Sequence, residues 1–348
     1  MDRKTSPDSE HLELPPERQP FYLAQNQGFG VAIESDEFLH RQLNETITDD
    51  ALTETQIFSL CVPAERVYAM GYLWHHPNLQ LVTGGIWGWQ GVKRHNLACE
   101  MFDMRAFMHD RPLIGDLHSY RLENGYGVQV HEPLKRLSMT YRDAARDNEI
   151  NVEFTALAAP VMFGDGLHFE QPMKARGELR LRGRRYEVDC FTVRDRSWGK
   201  PRPEIGMALP PMGWKTGVFG EDFSFNCNAF DEPALMPEFG NDFPLPGGQT
   251  LKAGWIYRDG AVSRIVSCRK RTQRDPVTLH PTTIEWEGVD EHGTRYEITG
   301  RTLASSDWSV QPNLRFVVSN VQWECRGRVA YGDLQEAHWT DFVNRFLR

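Results

Sequence analysis

The segment Arg194-Asp195-Arg196-Ser197-Trp198-Gly199 decides how this sequence is interpreted. It brings a carboxylate, two guanidinium groups, an indole and a glycine together in one short run. Charged side chains are rarely buried among apolar ones unless they are paired. The segment therefore has two interpretations. In the structural one its charges form ion pairs and Trp198 covers a core; in the functional one Asp195 is a partly desolvated acid.

The protonation state of Asp195 separates these interpretations. Burial beside Trp198 would raise the pKa of this carboxyl group and keep a proton available at neutral pH. The neighbouring Arg194 and Arg196 would lower the same pKa, because a nearby positive charge favours the carboxylate. The sequence leaves the sign of the shift open.

Short runs of β-branched and aromatic residues flank the segment on both sides and predict an all-β fold. Two-residue turns such as Asn124-Gly125, Arg182-Gly183 and Asp259-Gly260 separate several of these runs and indicate hairpins. The chain has 348 residues, which at roughly 100–200 residues per domain predicts two domains. We expect two β-barrel or β-sandwich domains side by side, with few short helices. The predicted boundaries are a flexible arm over 1–20, a first domain over 21–187 and a second over 188–348.

Composition excludes several classes of function. The net charge of −9 argues against nucleic acid or an anionic membrane as partner, because such partners select basic patches. Residues 1–20 are polar and rich in proline, and no apolar run reaches the roughly 20 residues of a membrane span. The six cysteines show no C-x-x-C pair and are predicted to be free thiols. We therefore expect a cytoplasmic protein without stable membrane insertion.

Motifs for cofactors and metals are missing from the sequence. It contains no G-x-x-x-x-G-K-[ST] loop, no H-E-x-x-H and no G-x-S-x-G. His75 and His76 are adjacent, so on a strand they would point to opposite faces. We predict neither a cofactor nor a metal site.

Several segments together resemble a known family. They are His168-Phe169-Glu170-Gln171, the run from Gly177 to Leu181, the segment from Arg194 to Gly199, and a closing stretch with Tyr331-Gly332 and Glu336. The chain resembles carotenoid 1,2-hydratases and AttH-like proteins, which are lipocalin-related, calycin-like proteins of two domains, and more distantly the Diels–Alderases. The usual family motif has histidine where this chain has Arg196. The resemblance implies two lipocalin-like domains with an apolar pocket near their junction.

In the hydratase relatives a carboxylic acid protonates an alkene and water captures the cation. The resemblance implies this role for Asp195, and such a site also needs aromatic faces and a held water. We expect basic and aromatic side chains to contact the substrate. The basic ones are Arg194, Arg196 and His168, and the aromatic ones are Trp198, Trp214, Trp255, Trp323 and Tyr257. Glu336 and His338 share a face if their segment is extended, and as a pair they could deprotonate water. The alternative interpretation is that Glu336 and His338 are an exposed pair at the start of a terminal helix.

Three functions remain open at this stage. The first is a hydratase or dehydratase acting on a hydrophobic, isoprenoid-like substrate. The second is a non-catalytic carrier of a lipid or terpenoid, and the third is a cyclase or isomerase without cofactor, of the Diels–Alderase kind. In each case the partner is a small hydrophobic molecule. A homodimer through an exposed strand edge is a further expectation.

Overall fold

The protein is built almost entirely of β-strands in this computed structural model, which confirms the all-β prediction. The structure describes residues 29–38, 52–113, 119–163, 166–201, 209–239, 242–245, 248–311 and 314–347. The predicted flexible arm, residues 1–20, lies outside the described residues. Two β units follow one another along the chain, an open sheet and a closed barrel.

The open sheet contains twelve strands and uses the first part of the chain. Its main path runs in the order β5-β4-β3-β2-β12-β11-β9-β8-β7-β6, and the short β10 pairs with both β1 and β11. Period-two burial explains why these segments pair, as in β9, where alternate apolar side chains enter the core. The strands are β1 (Gly30–Val31), β2 (Leu52–Val62), β3 (Val67–His76), β4 (Leu81–Gln90), β5 (Met101–His109), β6 (Ser119–Arg121), β7 (Gly127–Glu132), β8 (Arg136–Asp143), β9 (Asn148–Ala156), β10 (Val161–Met162), β11 (His168–Leu181) and β12 (Arg184–Pro201).

The remaining eight strands close into a barrel in sequence order, β13 to β20. All neighbours in the barrel are antiparallel, and β20 closes it against β13. The predicted hairpin at Asp259-Gly260 is confirmed, since β15 and β16 pair around these two positive-φ residues. The strands are β13 (Met212–Gly220), β14 (Phe223–Phe230), β15 (Leu251–Arg258), β16 (Ala261–Arg274), β17 (Pro281–Asp290), β18 (Arg295–Gln311), β19 (Leu314–Cys325) and β20 (Arg328–Trp339).

The strand β12 leads from one unit to the other. It crosses the predicted domain boundary at 187/188 and stays in the open sheet to Pro201, and the barrel begins at Met212. Polar contacts join the two units, including Ser59 Oγ to Asp333 Oδ2 at 2.7 Å. The division into two independently folding domains stays a prediction.

Helical structure is sparse in the described part of the chain. One α-helix is present there, α1 (Thr340–Phe346), together with single turns of 3-10 helix. Among the described residues, no helix has the length and apolar character needed to cross a membrane.

Candidate functional site

The hairpin of β11 and β12 places three ionisable side chains on one face of the open sheet. The turn at Arg182-Gly183 sets a register in which Glu170 lies opposite Asp195 and His168 lies opposite Ser197. Directly opposed residues of antiparallel strands point to the same face, and residues two apart on a strand share it. His168, Glu170 and Asp195 therefore form one group, which we call the junction triad.

The members of the junction triad are within contact distance. His168 Nε2 is 2.6 Å from Asp195 Oδ2 and 3.7 Å from Glu170 Oε1. A carboxylate only accepts hydrogen bonds, so with Asp195 ionised the Nε2 atom carries the proton that joins them. The side chains of His168 and Asp195 remain 20% and 10% exposed. The ring of Phe163 stacks on that of His168, with centroids 4.6 Å apart, and limits how the imidazole can turn.

The barrel completes the site around Glu170. This side chain is fully buried, and its two oxygens accept hydrogen bonds from the indole N–H groups of Trp214 and Trp255, the latter at 3.1 Å. Burial raises the pKa of Glu170 to about 8, and the charge of Asp195 contributes in the same direction, while His168 and the two indoles oppose it. Glu170 is therefore mostly a neutral carboxylic acid at pH 7. The triad combines this acid with a His–Asp pair.

The triad could also hold a divalent cation. One ligand atom from each residue lies within 4.8 Å of the others, and an imidazole with two carboxylates suits several transition metals. A metal on Glu170 would compete with two indole donors that already bind both of its oxygens. It would also require the proton to leave a buried acid. The donor set therefore fits proton transfer better than metal binding.

Three predicted substrate-contacting residues lie on the other face of the sheet, and this corrects the sequence analysis. Arg194 and Arg196 alternate with Asp195 along β12, so they point away from the triad. Arg194 forms a two-pronged ion pair with Glu37 at 2.7 and 2.8 Å, and Arg196 Nε donates to the carbonyl oxygen of Asp36 at 2.8 Å. Trp198 packs in a small core with residues that include Phe169, Leu167 and Met162. These three side chains anchor the segment around 34–38.

Replacing Glu37 by glutamine should destabilise the fold by about 2 kcal/mol, because a buried Arg194 would lose its charged partner. Arg194 outweighs the effect of burial and holds the pKa of Glu37 below its ordinary value, so the pair is charged at neutral pH. Urea unfolding at pH 7 measures the loss. Glu34→Gln, at an exposed position of the same turn, is the control and should change stability little. Equal stability of the two variants would show that the pair contributes nothing.

Glu336 and His338 lie inside the barrel in a separate network. Glu336 Oε1 is 3.1 Å from Lys270 Nζ, and Arg274 donates to both Glu336 oxygens at 2.7 and 2.9 Å. β16 and β20 are on opposite sides of the closed barrel, so this contact crosses its interior. The two cations overcome burial and hold the pKa of Glu336 well below its usual range. Glu336 and His338 form a pair, 3.1 Å between Oε2 and Nε2, but both are fully buried, so the alternative of an exposed pair is wrong, and neither residue is part of the junction triad.

The other aromatic residues predicted to contact the substrate lie partly near the junction triad and partly in the barrel core. Trp214 and Trp255 belong to the site, where their N–H groups donate hydrogen bonds to Glu170. Their role as substrate contacts stays a prediction. Tyr257 packs on the edge of the apolar cluster that contains Trp255 and Phe163. Trp323 lies in the barrel core, edge-on to Phe225 at 5.6 Å between centroids, which corrects its assignment as a substrate contact.

The acid Glu170 entered the sequence analysis only as part of the segment from His168 to Gln171, which carries the family resemblance. A local signal for it was present, because the turn at Arg182-Gly183 predicts the register of the hairpin. Counting outward from this turn pairs Glu170 with Asp195. The indole donors carry no such signal, since they come from the other β unit.

Comparisons with known proteins agree with the two-unit fold. A protein described as AttH from Nitrosomonas europaea superimposes with a TM-score of 0.58 at 11% identity, over 85% of this chain and 93% of the other. Kievitone hydratase from Nectria haematococca gives 0.52 at 11% identity, over 89% and 93%. CghA gives 0.51 at 11% identity, over 83% and 88%. These likenesses establish the fold, as the sequence resemblance implied.

Comparisons of sequence place the chain more narrowly. No curated protein is similar to it in sequence. One family model matches residues 34–341, which include both β units and the junction triad. The chain belongs to the family described as Domain of unknown function (DUF7064).

Proposed function

We propose that this protein adds water to, or removes it from, an alkene of a hydrophobic, isoprenoid-like substrate by acid-initiated chemistry at the junction of its two β units. The observation that carries the proposal is the buried acid Glu170, held by two indole N–H groups beside the His168–Asp195 pair. The structural likeness to a kievitone hydratase supports a hydratase among the possible reactions.

Glu170, His168 and Asp195 can together supply and take up every proton that the reaction requires. In hydration, the Glu170 carboxyl group gives its proton to one alkene carbon, and a carbocation forms on the other. Water bonds to the cation and loses a proton to the His168–Asp195 pair. The proton then returns to Glu170, whose Oε1 is 3.7 Å from His168 Nε2. Dehydration is the same sequence reversed: the Glu170 proton passes to the His168–Asp195 pair, this pair protonates the departing hydroxyl group, and the Glu170 carboxylate takes a proton from the neighbouring carbon.

The substrate can be sought with the protein itself. Apolar sites tend to retain ligands that fit them. We would extract freshly purified protein with organic solvent and compare its mass spectrum with that of a denatured control. Candidate alkenes are then incubated in ¹⁸O-water. Solvent oxygen in the product supports hydration, whereas conversion without it would indicate a cyclase or isomerase, and binding without conversion would indicate a carrier.

Substituting Asp195 by asparagine should reduce turnover by about 10²–10⁴-fold, because the neutral amide cannot support an imidazolium on His168. Substrate affinity should change little, since the asparagine side chain has the same size. The measurement is kcat and KM with the substrate identified above. Asp189→Asn, on the exposed part of the same strand, is the matched control. Full turnover by the Asp195 variant would remove the pair from the mechanism.

A further inference from the structure

A cavity lies in the barrel unit, away from the junction triad. It has a volume of about 680 Å³ and lies between the end of β16, the 3-10 turns around 233–239 and helix α1. Small-molecule sites typically have volumes of roughly 300–1,000 Å³. Among the described residues that line this cavity, none belongs to the junction triad.

One side of the cavity is apolar and aromatic. Phe239 meets Phe342 edge-on, with centroids 5.5 Å apart, and Phe342 meets Phe346 at 4.8 Å. Met236 and Leu279 extend this wall. Rings that pack against each other lose little freedom when a ligand covers them, so the wall suits an apolar ligand body.

The other side carries three arginines, which differ in how closely carboxylates already pair with them. Arg274 is already bound by two buried carboxylates, Asp231 and Glu336. Within the described part of the chain, Arg271 and Arg345 make only long ion pairs, at 3.8 and 3.7 Å, and their side chains remain 42% and 61% exposed. Their carboxylate partners are outside the cavity lining. Two guanidinium groups therefore face the cavity with most of their hydrogen-bonding capacity available.

The two acidic residues of the lining form no ion pair with Arg271 or Arg345 among the described contacts. Asp275 Oδ1 accepts from the main-chain N–H groups of Val277 and Thr278 and from the Thr278 hydroxyl, which fixes it in its own turn. Glu238 is the other carboxylate of the lining. The two guanidinium groups on one side and the aromatic wall on the other suit an anion with an apolar body.

We propose that this cavity binds a small amphipathic carboxylate, with its head on Arg271 and Arg345 and its chain or ring on the wall formed by Phe239, Phe342 and Phe346. Arginine recognises a carboxylate through two parallel hydrogen bonds, which gives the head a defined position. This site is independent of the junction triad and of the reaction proposed for it.

Decanoate and decanol are suitable probes, because they share an apolar chain and differ in the charge of the head. Isothermal titration calorimetry should show decanoate binding about tenfold or more tightly than decanol at low salt. The double substitution Arg271→Gln with Arg345→Gln should remove this preference and leave decanol binding unchanged. Both positions are partly exposed, so the variant should fold. Arg269→Gln, at an exposed position of β16, should keep the preference.

The apolar wall is tested separately with Phe346→Ala, which should weaken both probes by a similar factor. Equal affinity of decanoate and decanol for the unmodified protein would overturn the proposal. So would a decanoate preference that survives the double arginine substitution, since the anion would then bind elsewhere. Binding of neither probe would equally count against an amphipathic ligand at this site.

Discussion

Replacing Glu170 by glutamine will sharply reduce turnover, and the stability of the variant relative to the unmodified protein will rise with pH between 5 and 8. Glutamine keeps the shape of the side chain, but its carbonyl oxygen can accept from only one of the two indoles, because its NH2 group is a donor, and it has no acidic proton to give. Loss of a general acid in such a reaction typically lowers the rate by about 10²–10⁴-fold. Substrate affinity should change little, because glutamine and glutamic acid have nearly the same size.

The pH dependence of this relative stability follows from the raised pKa of Glu170. In the unfolded chain this group ionises near its ordinary value of 4.5, whereas in the folded protein it stays protonated up to about 8. Between these values the folded state binds more protons, so the free energy of unfolding falls as pH rises. The glutamine side chain of the variant does not titrate and lacks this decline. The stability of the variant relative to the unmodified protein should therefore rise from pH 5 to pH 8, from a starting value lowered by the indole that has lost its acceptor.

This measurement needs no substrate, so it can precede the identification of one. Urea unfolding curves at several pH values are compared for the unmodified protein, Glu170→Gln and the partly exposed control Glu178→Gln on the same strand. A pH-independent difference for Glu170→Gln would mean that the carboxyl group is not held protonated. For turnover, the same raised pKa predicts a rate that declines above about pH 8, as the acid form of Glu170 is lost.

Local sequence patterns predict most of the site on the open sheet. The motif around Asp195 identifies one member, and the turn at Arg182-Gly183 is enough to place Glu170 opposite it. The same period-two alternation would have shown that Arg194 and Arg196 point away from Asp195. Proximity along the chain made all three look like one site, although adjacent residues of a strand lie on opposite faces.

Contacts between distant strands could not be predicted in this way. Lys270 meets Glu336 only because the barrel closes and brings β16 and β20 to face each other across its interior. Trp214 and Trp255 reach Glu170 only because the barrel docks on the open sheet. Neither arrangement leaves a periodic signal in the sequence, since each depends on how whole sheets curve and pack.

Replacing Glu336 by glutamine should destabilise the protein by about 3–5 kcal/mol, the usual result of removing one partner from a buried ion pair. Lys270 and Glu336 are both fully buried, and Arg274 is nearly so. Without the Glu336 carboxylate, Asp231 alone would remain to balance two buried cations. His338, whose pKa burial lowers to about 4, is neutral and cannot compensate.

Urea unfolding at pH 7 measures this loss, with Glu324→Gln at an exposed position of β19 as the control. The double variant Lys270→Met with Glu336→Gln removes one charge of each sign, so it should be less destabilised than the two single changes together, by about 1–3 kcal/mol.

The dependence of stability on acid pH provides a second readout. The folded pKa of Glu336 lies well below 4.5, so the stability that it supplies is present above 4.5 and is lost as pH falls toward the folded value. Glu336→Gln should therefore lose less stability in acid than the unmodified protein does. Additive single changes, or parallel acid profiles, would show that Glu336 is not the charge that balances Lys270 and Arg274.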